Sequence, residues 1–355
     1  MLTAFSFIFV LGILIFIHEL GHFLVAKKVG IKVHKFSLGF PPDIISKKVG
    51  DTTYCIGLIP LGGYVKMAGE DPNEVATGDA GEFSSKTIGQ RTAVILAGPF
   101  MNYLLAIFLM IGVLYFGGTP IFDPDKVVVG TVSKDGPAAK GGLKPDDIII
   151  AIDGRPVSDF DSLRSLISPR VAESIQITWV SNGDTITKPI TTKAHPIPLP
   201  EGNYDTVGVI GFKQKPLRFE HPSLASATVD GFVTVHVIVK ETFKFVKKVV
   251  TGKASAKMIG GPLFIAQQSG KEAEKGASSL FFFMVLLSVN LAVLNIMPIP
   301  ILDGGHLLFL AIEKIKGSPV SMKARAIAQQ VGLVLLLTLI VFVTYNDILR
   351  VIKGL

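Results

Sequence analysis

Three stretches of the chain carry no charged side chain for longer than a soluble element needs: Thr92 to Phe122 (31 residues), Gly276 to Leu302 (27) and Ala326 to Asn346 (21). Each reaches the ~18 to 20 apolar residues that cross a bilayer core. A fourth stretch, Met1 to Ala26, is as apolar apart from His18, Glu19 and His22. The pattern predicts a polytopic α-helical membrane protein with about four transmembrane helices. The first stretch has no basic n-region, and its first lysines, Lys27 and Lys28, follow the apolar run, so it is expected to be a retained span rather than a cleaved signal.

Between the second and third spans the period changes. Short β-rich runs at Val127 to Val132, Asp147 to Ile152, Ile175 to Val180 and Thr185 to Thr191 are separated by turns such as Asp153-Gly154 and Asn182-Gly183. A helix is expected at Phe160 to Ile167, so this segment reads as a small, partly open barrel. Over 223 to 250, a helical stripe of Leu224, Thr228, Phe232, Val235, Val239, Phe243, Val246 and Val250 leaves Lys240, Lys244, Lys247 and Lys248 elsewhere. Two placements fit: a helix lying in the membrane interface, or one packed on the barrel.

The 355 residues allow about two folding units. A hydrophobic fraction of 49% against 18% charged excludes a disordered chain and argues against an ordinary cytosolic domain. The net charge of +7 has no basic, aromatic-interleaved segment behind it, so no nucleic-acid partner is expected. The lysines instead set topology. Lys27, Lys28, Lys32 and Lys35, with Lys86 and Arg91, put 27 to 91 in the cytosol, and Lys314, Lys316, Lys323 and Arg325 do the same for the loop before the last span. The N-terminus, the β-rich segment and the C-terminus then face outward, against which Arg350 and Lys353 stand as a minor inconsistency. The single cysteine, Cys55, forbids an intrachain disulfide.

The chemistry concentrates at His18-Glu19-Leu20-Gly21-His22. On a helix the i, i+4 spacing stacks both imidazoles on one face, with a carboxylate one residue round, which supplies two zinc ligands and a base. As a bare string it arises by chance, but inside a span an ionisable side chain costs ~2.5 to 3.5 kcal/mol unless it is paired or faces a polar cavity. A catalytic zinc takes three protein ligands and an open position. Asp303 is the candidate third donor, because it ends a charge-free run whose prolines, Pro298 and Pro300, break the helix before it. The first and third spans run in the same direction, so both donor sets fall near the inner membrane face. His306, His34, His195, His221 and His236 are less well placed. Glu19 is expected to take a proton from the attacking water and return it to the leaving amine.

These residues resemble the site-2 protease family of intramembrane zinc metalloproteases, its RseP-like branch in particular. The resemblance covers nearly the whole chain and rests on HELGH, on Ile59 to Met67, on Gly89-Gln90-Arg91 leading into Gly98-Pro99-Phe100-Met101-Asn102, and on Asn295 to Gly305. It implies that His18, His22 and Asp303 hold Zn2+, that Glu19 is the acid/base, and that Asn295, with Asn290, helps hold the substrate strand. It also implies a membrane-associated β-hairpin over 51 to 67 on the cytosolic side. Gly62 and Gly63 then belong either to an edge that binds substrate as an added strand or to a plain hairpin turn. Val127 to Lys193 resembles the PDZ domains of bacterial envelope proteases, through Gly136-Pro137-Ala138-Ala139 and Gly142 to Ile149. Such a domain either takes a peptide or chain end as ligand or filters access to the site. There is room for one such domain where Gram-negative relatives commonly carry two, and the family's Gly-Phe-Gly is Gly39-Phe40-Pro41, in which proline removes an N–H donor.

The expected plan is therefore an N-terminal membrane half (1 to 117), one extracytoplasmic PDZ-like α+β domain (118 to 215), an interfacial helix and linker (216 to 275) and a C-terminal membrane half (276 to 355). The expected function is zinc-dependent endoproteolysis of single-span transmembrane proteins in a bacterial inner membrane, with the lipid bilayer as the other partner. The alternatives are a non-catalytic metal-binding PDZ scaffold or transporter, and a PDZ adaptor in which HELGH is accidental.

Overall fold

The computed structural model describes residues 1–70, 77–198 and 204–353. Residues 199–203 of the expected PDZ-like segment and the terminal pair 354–355 lie outside them. The described chain divides into two compact units, one within residues 1–113, 224–247 and 259–353, the other within 114–223 and 248–258.

In the first unit, α1 (Leu2–Lys28) leads into strands β1 (Val33–Val49) and β2 (Thr52–Met67), then α2 (Ile88–Gly117). The hairpin thus begins at Val33, well before the expected 51, and turns at Gly50-Asp51. Lys35 to Leu38 pair with Lys66 to Gly63 on one side and with Thr53 to Ile56 on the other, while Ile45 to Val49 pair with Ile56 to Thr52. Two long strands therefore fold back into four adjacent runs, and Gly63 to Met67 forms an edge. Gly62 and Gly63 lie within β2. Pairing jumps from Phe40↔Ile59 to Asp43↔Gly57, and Pro41 and Pro42, which have no N–H to donate, occupy that break. The sheet is fastened to α1 and α2 by Ala26, Ile31, Val33, Met67 and Val94. At the start of α2, the Thr87 and Gln90 side chains accept from each other's backbone N–H at 3.2 and 3.1 Å, a reciprocal cap.

The second unit contains β3 (Thr119–Ile121), β4 (Val127–Val132), α3 (Pro137–Gly141), β5 (Ile148–Ile152), β6 (Arg155–Pro156), α4 (Phe160–Ile167), β7 (Ser174–Ser181), β8 (Asp184–Thr191), β9 (Lys193–Pro198), β10 (Tyr204–Val209), β11 (Phe212–Gln214) and β12 (Arg218–Glu220). The main sheet runs β11-β4-β5-β7-β8 with β6 beside β5. Apolar residues alternate inward along the strands, so Val127, Val129, Ile149, Ile152, Ile175, Ile177 and Trp179 form one core with Leu163 and Ile167 of α4. The four expected strands and the helix are all present. The small end strands were not legible as periodic segments because they are only two to six residues long.

The chain continues through α5 (Leu224–Val250), α6 (Pro262–Glu274), α7 (Ala277–Ile296), α8 (Asp303–Lys316) and α9 (Met322–Lys353). Among the described residues, four helices, α1, α2, α7 and α9, are long and apolar enough to cross a membrane. Helix α5 buries Val235 of the expected stripe together with Ala227 and Gly231, while Leu224, Phe232, Phe243 and Val250 of that stripe are exposed. A Cβ on Gly231 would stand 2.9 Å from Ile111 Cγ1 of α2. In lipid, large apolar side chains gain little by facing another helix, so small residues take the contact and the large ones face outward. Asp347 of α9, also buried, accepts the N–H groups of Gly261 and Phe264 at 3.1 and 2.9 Å and so caps α6.

Candidate active site

One face of α1 carries Val10, Leu14, His18, Gly21, His22 and Ala26, all buried. Val94, Gly98 and Asn102 of α2, spaced by four, meet the two imidazoles. His22 Nδ1–H donates to the Val94 carbonyl at 2.8 Å, which leaves Nε2 a bare lone pair. The fully buried Asn102 brings its amide 3.2 Å from His18 Nδ1, and its Oδ1 has no hydrogen-bond partner among the described residues. A half-turn about the Cβ–Cγ bond exchanges oxygen and nitrogen. With Oδ1 facing the ring it accepts Nδ1–H, and His18 Nε2 is bared as well. Asn295 Nδ2 lies 3.3 Å from that same Nε2. Gly98 permits this approach: a Cβ there would sit 2.3 Å from His22 Nε2 and 2.8 Å from His18 Cε1.

The third donor arrives from a turn. Helix α7 stops at Ile296, the segment with Pro298 and Pro300 reverses the chain, and α8 starts at Asp303. Asp303 Oδ2 lies 3.2 Å from His18 Nε2, Asp303 Oδ1 lies 3.5 Å from His22 Nε2, and the two Nε2 atoms are 3.2 Å apart. All three donors fall within 4.8 Å of one another. Lone pairs face lone pairs here, and buried Asp303 Oδ2 has no hydrogen-bond partner among the described residues. A tetrahedral ion with bonds of about 2.05 Å sets neighbouring ligand atoms about 3.3 Å apart. The three residues therefore fit zinc by distance, by donor type and by their unmet lone pairs. Burial opposes ionisation of Asp303, but the two imidazoles outweigh it and hold the carboxyl below its ordinary range.

Glu19 faces the same cavity of about 190 Å³, whose walls include Gly63, Tyr64, Glu70, Asp303 and His306. A Cβ on Gly63 would lie 3.1 Å from Glu19 Cγ, so a glycine lets the edge of the sheet pass beside the acid. Glu70 sits at the mouth, and although the side chain reaches solvent, the protein around its carboxyl pushes it up to about 7 by desolvation. The Met67 N–H donates to it at 3.3 Å.

The residues expected from sequence divide as follows. His18, Glu19, His22, Asp303 and Gly63 line the cavity, and Asn295 comes within 3.3 Å of His18 Nε2 without lining it. Asn290 does not: it is exposed and its Oδ1 accepts from Thr242 Oγ1 of α5 at 3.2 Å. Gly62 faces the Phe40 ring instead. His306, set aside in the sequence, lines the cavity one helical turn past Asp303, and burial keeps its pKa below the ordinary value. The partners Val94 and Asn102 were legible only as a four-residue spacing with Gly98, a signal that gains meaning once α2 is known to cross α1 at the histidines. Glu70 follows the strand by three residues and had no periodic context to mark it.

The profile of Peptidase family M50 matches residues 6–339. A protein of Agrobacterium fabrum provisionally named a zinc metalloprotease is 35% identical over 96% of this chain and 94% of its own length. Another of Clostridium perfringens, also provisionally named, is 36% identical over 95% of each, and the zinc metalloprotease RasP of Geobacillus kaustophilus is 33% identical over 97% of each. Because the match spans residues 6–339, from the helix that bears both histidines to beyond the turn that bears Asp303, the chain belongs to peptidase family M50, the site-2 protease family of zinc metalloproteases.

Proposed function

We propose that the chain is an intramembrane endopeptidase in which His18, His22 and Asp303 hold zinc and Glu19 moves the proton. The observation that carries this is the set of three donor separations, 3.2, 3.2 and 3.5 Å, each close to an edge of one tetrahedron. Zinc in that cradle supplies Lewis acidity and brings the pKa of water to about 7. Glu19, beside the donors but outside their set, accepts the proton of the attacking water and delivers it to the leaving amine nitrogen, acting as base and then as acid. Asn102 and the Val94 carbonyl fix both imidazole tautomers, so each ring keeps Nε2 free for the metal.

A peptide bond inside a helix is shielded, so the substrate must be extended before it reacts. The edge run Gly63 to Met67 borders the cavity and offers main-chain groups for an added strand. Gly63 belongs to that edge with Gly62 behind it, and Asn295 is within reach of the same space, with Asn290 further along α7. The substrates in this reading are transmembrane segments of single-span proteins. The setting is a bacterial inner membrane, with the site toward the cytosolic face and the PDZ-like α+β unit outside. Between α4 and β11 that unit has a cleft of about 930 Å³, bordered by Leu163, Ile167, Gly211 and Phe212, suited to a peptide or chain end.

The deciding experiment is Glu19→Gln in detergent-purified full-length protein with a transmembrane model substrate. Zinc retained with cleavage lost is expected. Cleavage at the wild-type rate with zinc still bound would refute the mechanism.

A further inference from the structure

Arg91 and Glu313 form a buried pair that the chemistry above does not use. Arg91 Nη1 donates to Glu313 Oε2 at 3.1 Å and Nη2 to Oε1 at 2.5 Å, while Nε donates to the Lys86 carbonyl at 3.1 Å. Both side chains are less than a tenth exposed. Arg325 of α9 brings Nη2 to 3.5 Å from Glu313 Oε2. One carboxylate therefore joins the first turn of α2, the last turn of α8 and the first turns of α9.

This is an unfavourable place for a glutamate. It lies in the C-terminal turn of α8, whose final carbonyls repel it, and a buried ion pair gives little net stability over apolar residues of the same size. What a bidentate guanidinium–carboxylate pair supplies is direction: two parallel hydrogen bonds fix both angle and distance. The two helices it ties lead to the two halves of the metal centre. From Arg91, α2 runs ~16 Å to Asn102, passing Val94 and Gly98, the groups that orient and back the imidazoles. From Glu313, α8 runs ~15 Å to Asp303. The two arms begin at one ion pair and lead, one to the α2 groups that meet the imidazoles, the other to Asp303.

We propose that Arg91 and Glu313 are positioning residues of the metal centre, their forked pair holding α8, and so Asp303, at the correct separation from the α2 face that sets His18 and His22. The proposal rests on the reading of His18, His22 and Asp303 as the metal donors. Arg325 extends the tie to α9, so Glu313 stays neutralised if one arginine moves.

The test uses full-length detergent-purified protein loaded with cobalt(II), whose visible absorption reports ligand geometry, together with chelator competition and thermal melting. The variants are Glu313→Gln and Arg91→Lys, which keeps the charge and loses the fork. Val10→Ala is the control, because it opens the buried contact between α1 and α7 away from the site. Glu313→Gln and Arg91→Lys are each expected to weaken cobalt binding roughly 10- to 100-fold and alter the absorption bands, while Val10→Ala lowers the melting temperature and leaves affinity within about twofold. The proposal is overturned if Arg91→Lys or Glu313→Gln keeps the wild-type affinity and spectrum, or if Val10→Ala weakens binding as much at a similar loss of melting temperature. Should Glu313→Gln fail to fold, Arg91→Lys decides by the same readouts. Asp303→Ala separates the two levels: cobalt retained there defeats the donor assignment itself, whereas cobalt lost there but unchanged in the Arg91 and Glu313 variants defeats only the positioning role.

Discussion

Adding one methyl group at residue 98 tests the geometry of the site without touching a donor. A Cβ built on Gly98 stands 2.3 Å from His22 Nε2, 2.6 Å from His22 Cε1 and 2.8 Å from His18 Cε1, where ordinary contact begins at 3.4 Å. The His22 ring must therefore retreat by about 1 Å, while its other nitrogen is held at 2.8 Å by the Val94 carbonyl on the same helix. Metal–ligand distances tolerate about ±0.2 Å, and misplacing a reacting group by about 1 Å costs on the order of 100-fold. Gly98→Ala is expected to lose at least about 100-fold in zinc affinity, ~3 kcal/mol, measured by chelator competition on purified protein. Gly112→Ala is the matched control, since it lies in the same helix with nothing within 4 Å of the added Cβ, and alanine favours a helix by about 1 kcal/mol over glycine. Wild-type zinc affinity in Gly98→Ala would refute the packing of α2 against the two rings.

Other consequences are equally direct. Asp303→Ala is expected to abolish stoichiometric zinc, whereas His306→Ala retains it, because His306 lines the cavity outside the donor set; metal content of the two variants checks this. Gly63→Ala, whose Cβ would press within 3.1 Å of Glu19 Cγ and 2.9 Å of the Ser37 carbonyl, is expected to keep zinc and lower kcat about tenfold, the order of a strained acid/base position. Glu70 gives a pH test. Its folded pKa, about 7, lies above the ordinary glutamate value, so the folded state binds the proton more tightly and stability falls as pH rises through that interval. The melting temperature of the wild type relative to Glu70→Gln should decline between about pH 5 and pH 8; a difference independent of pH would contradict the desolvated carboxyl.

Much of the site was legible because its rules are local. HELGH on a helix dictates two imidazoles on one face, and the cost of an acid in an apolar run marks Glu19. Asp303 could be found because proline breaks a helix and a catalytic zinc lacks a third ligand. The core of the β-rich unit was legible for the same reason, since alternation along Ile175 to Val180 fixes which side chains face inward. What was not legible depends on distant partners. Of the stripe over 223 to 250 Val235 is buried, beside Ala227 and Gly231, and which small residues take the contact is set by α2, far away in the sequence. The double pairing of Lys35 to Leu38 needs both flanking runs in place and has no signature within either. Asn290 and Asn295 look alike in the sequence, yet five residues along a helix turn one toward Thr242 and the other toward His18.

X-ray absorption at the zinc edge of the purified wild-type protein tests the central claim most directly. One zinc per chain is expected, with two imidazole nitrogens and carboxylate or water oxygens at about 2.0 to 2.2 Å completing four ligands. Absence of stoichiometric zinc, a shell containing sulfur, or a shell without two imidazoles would contradict it.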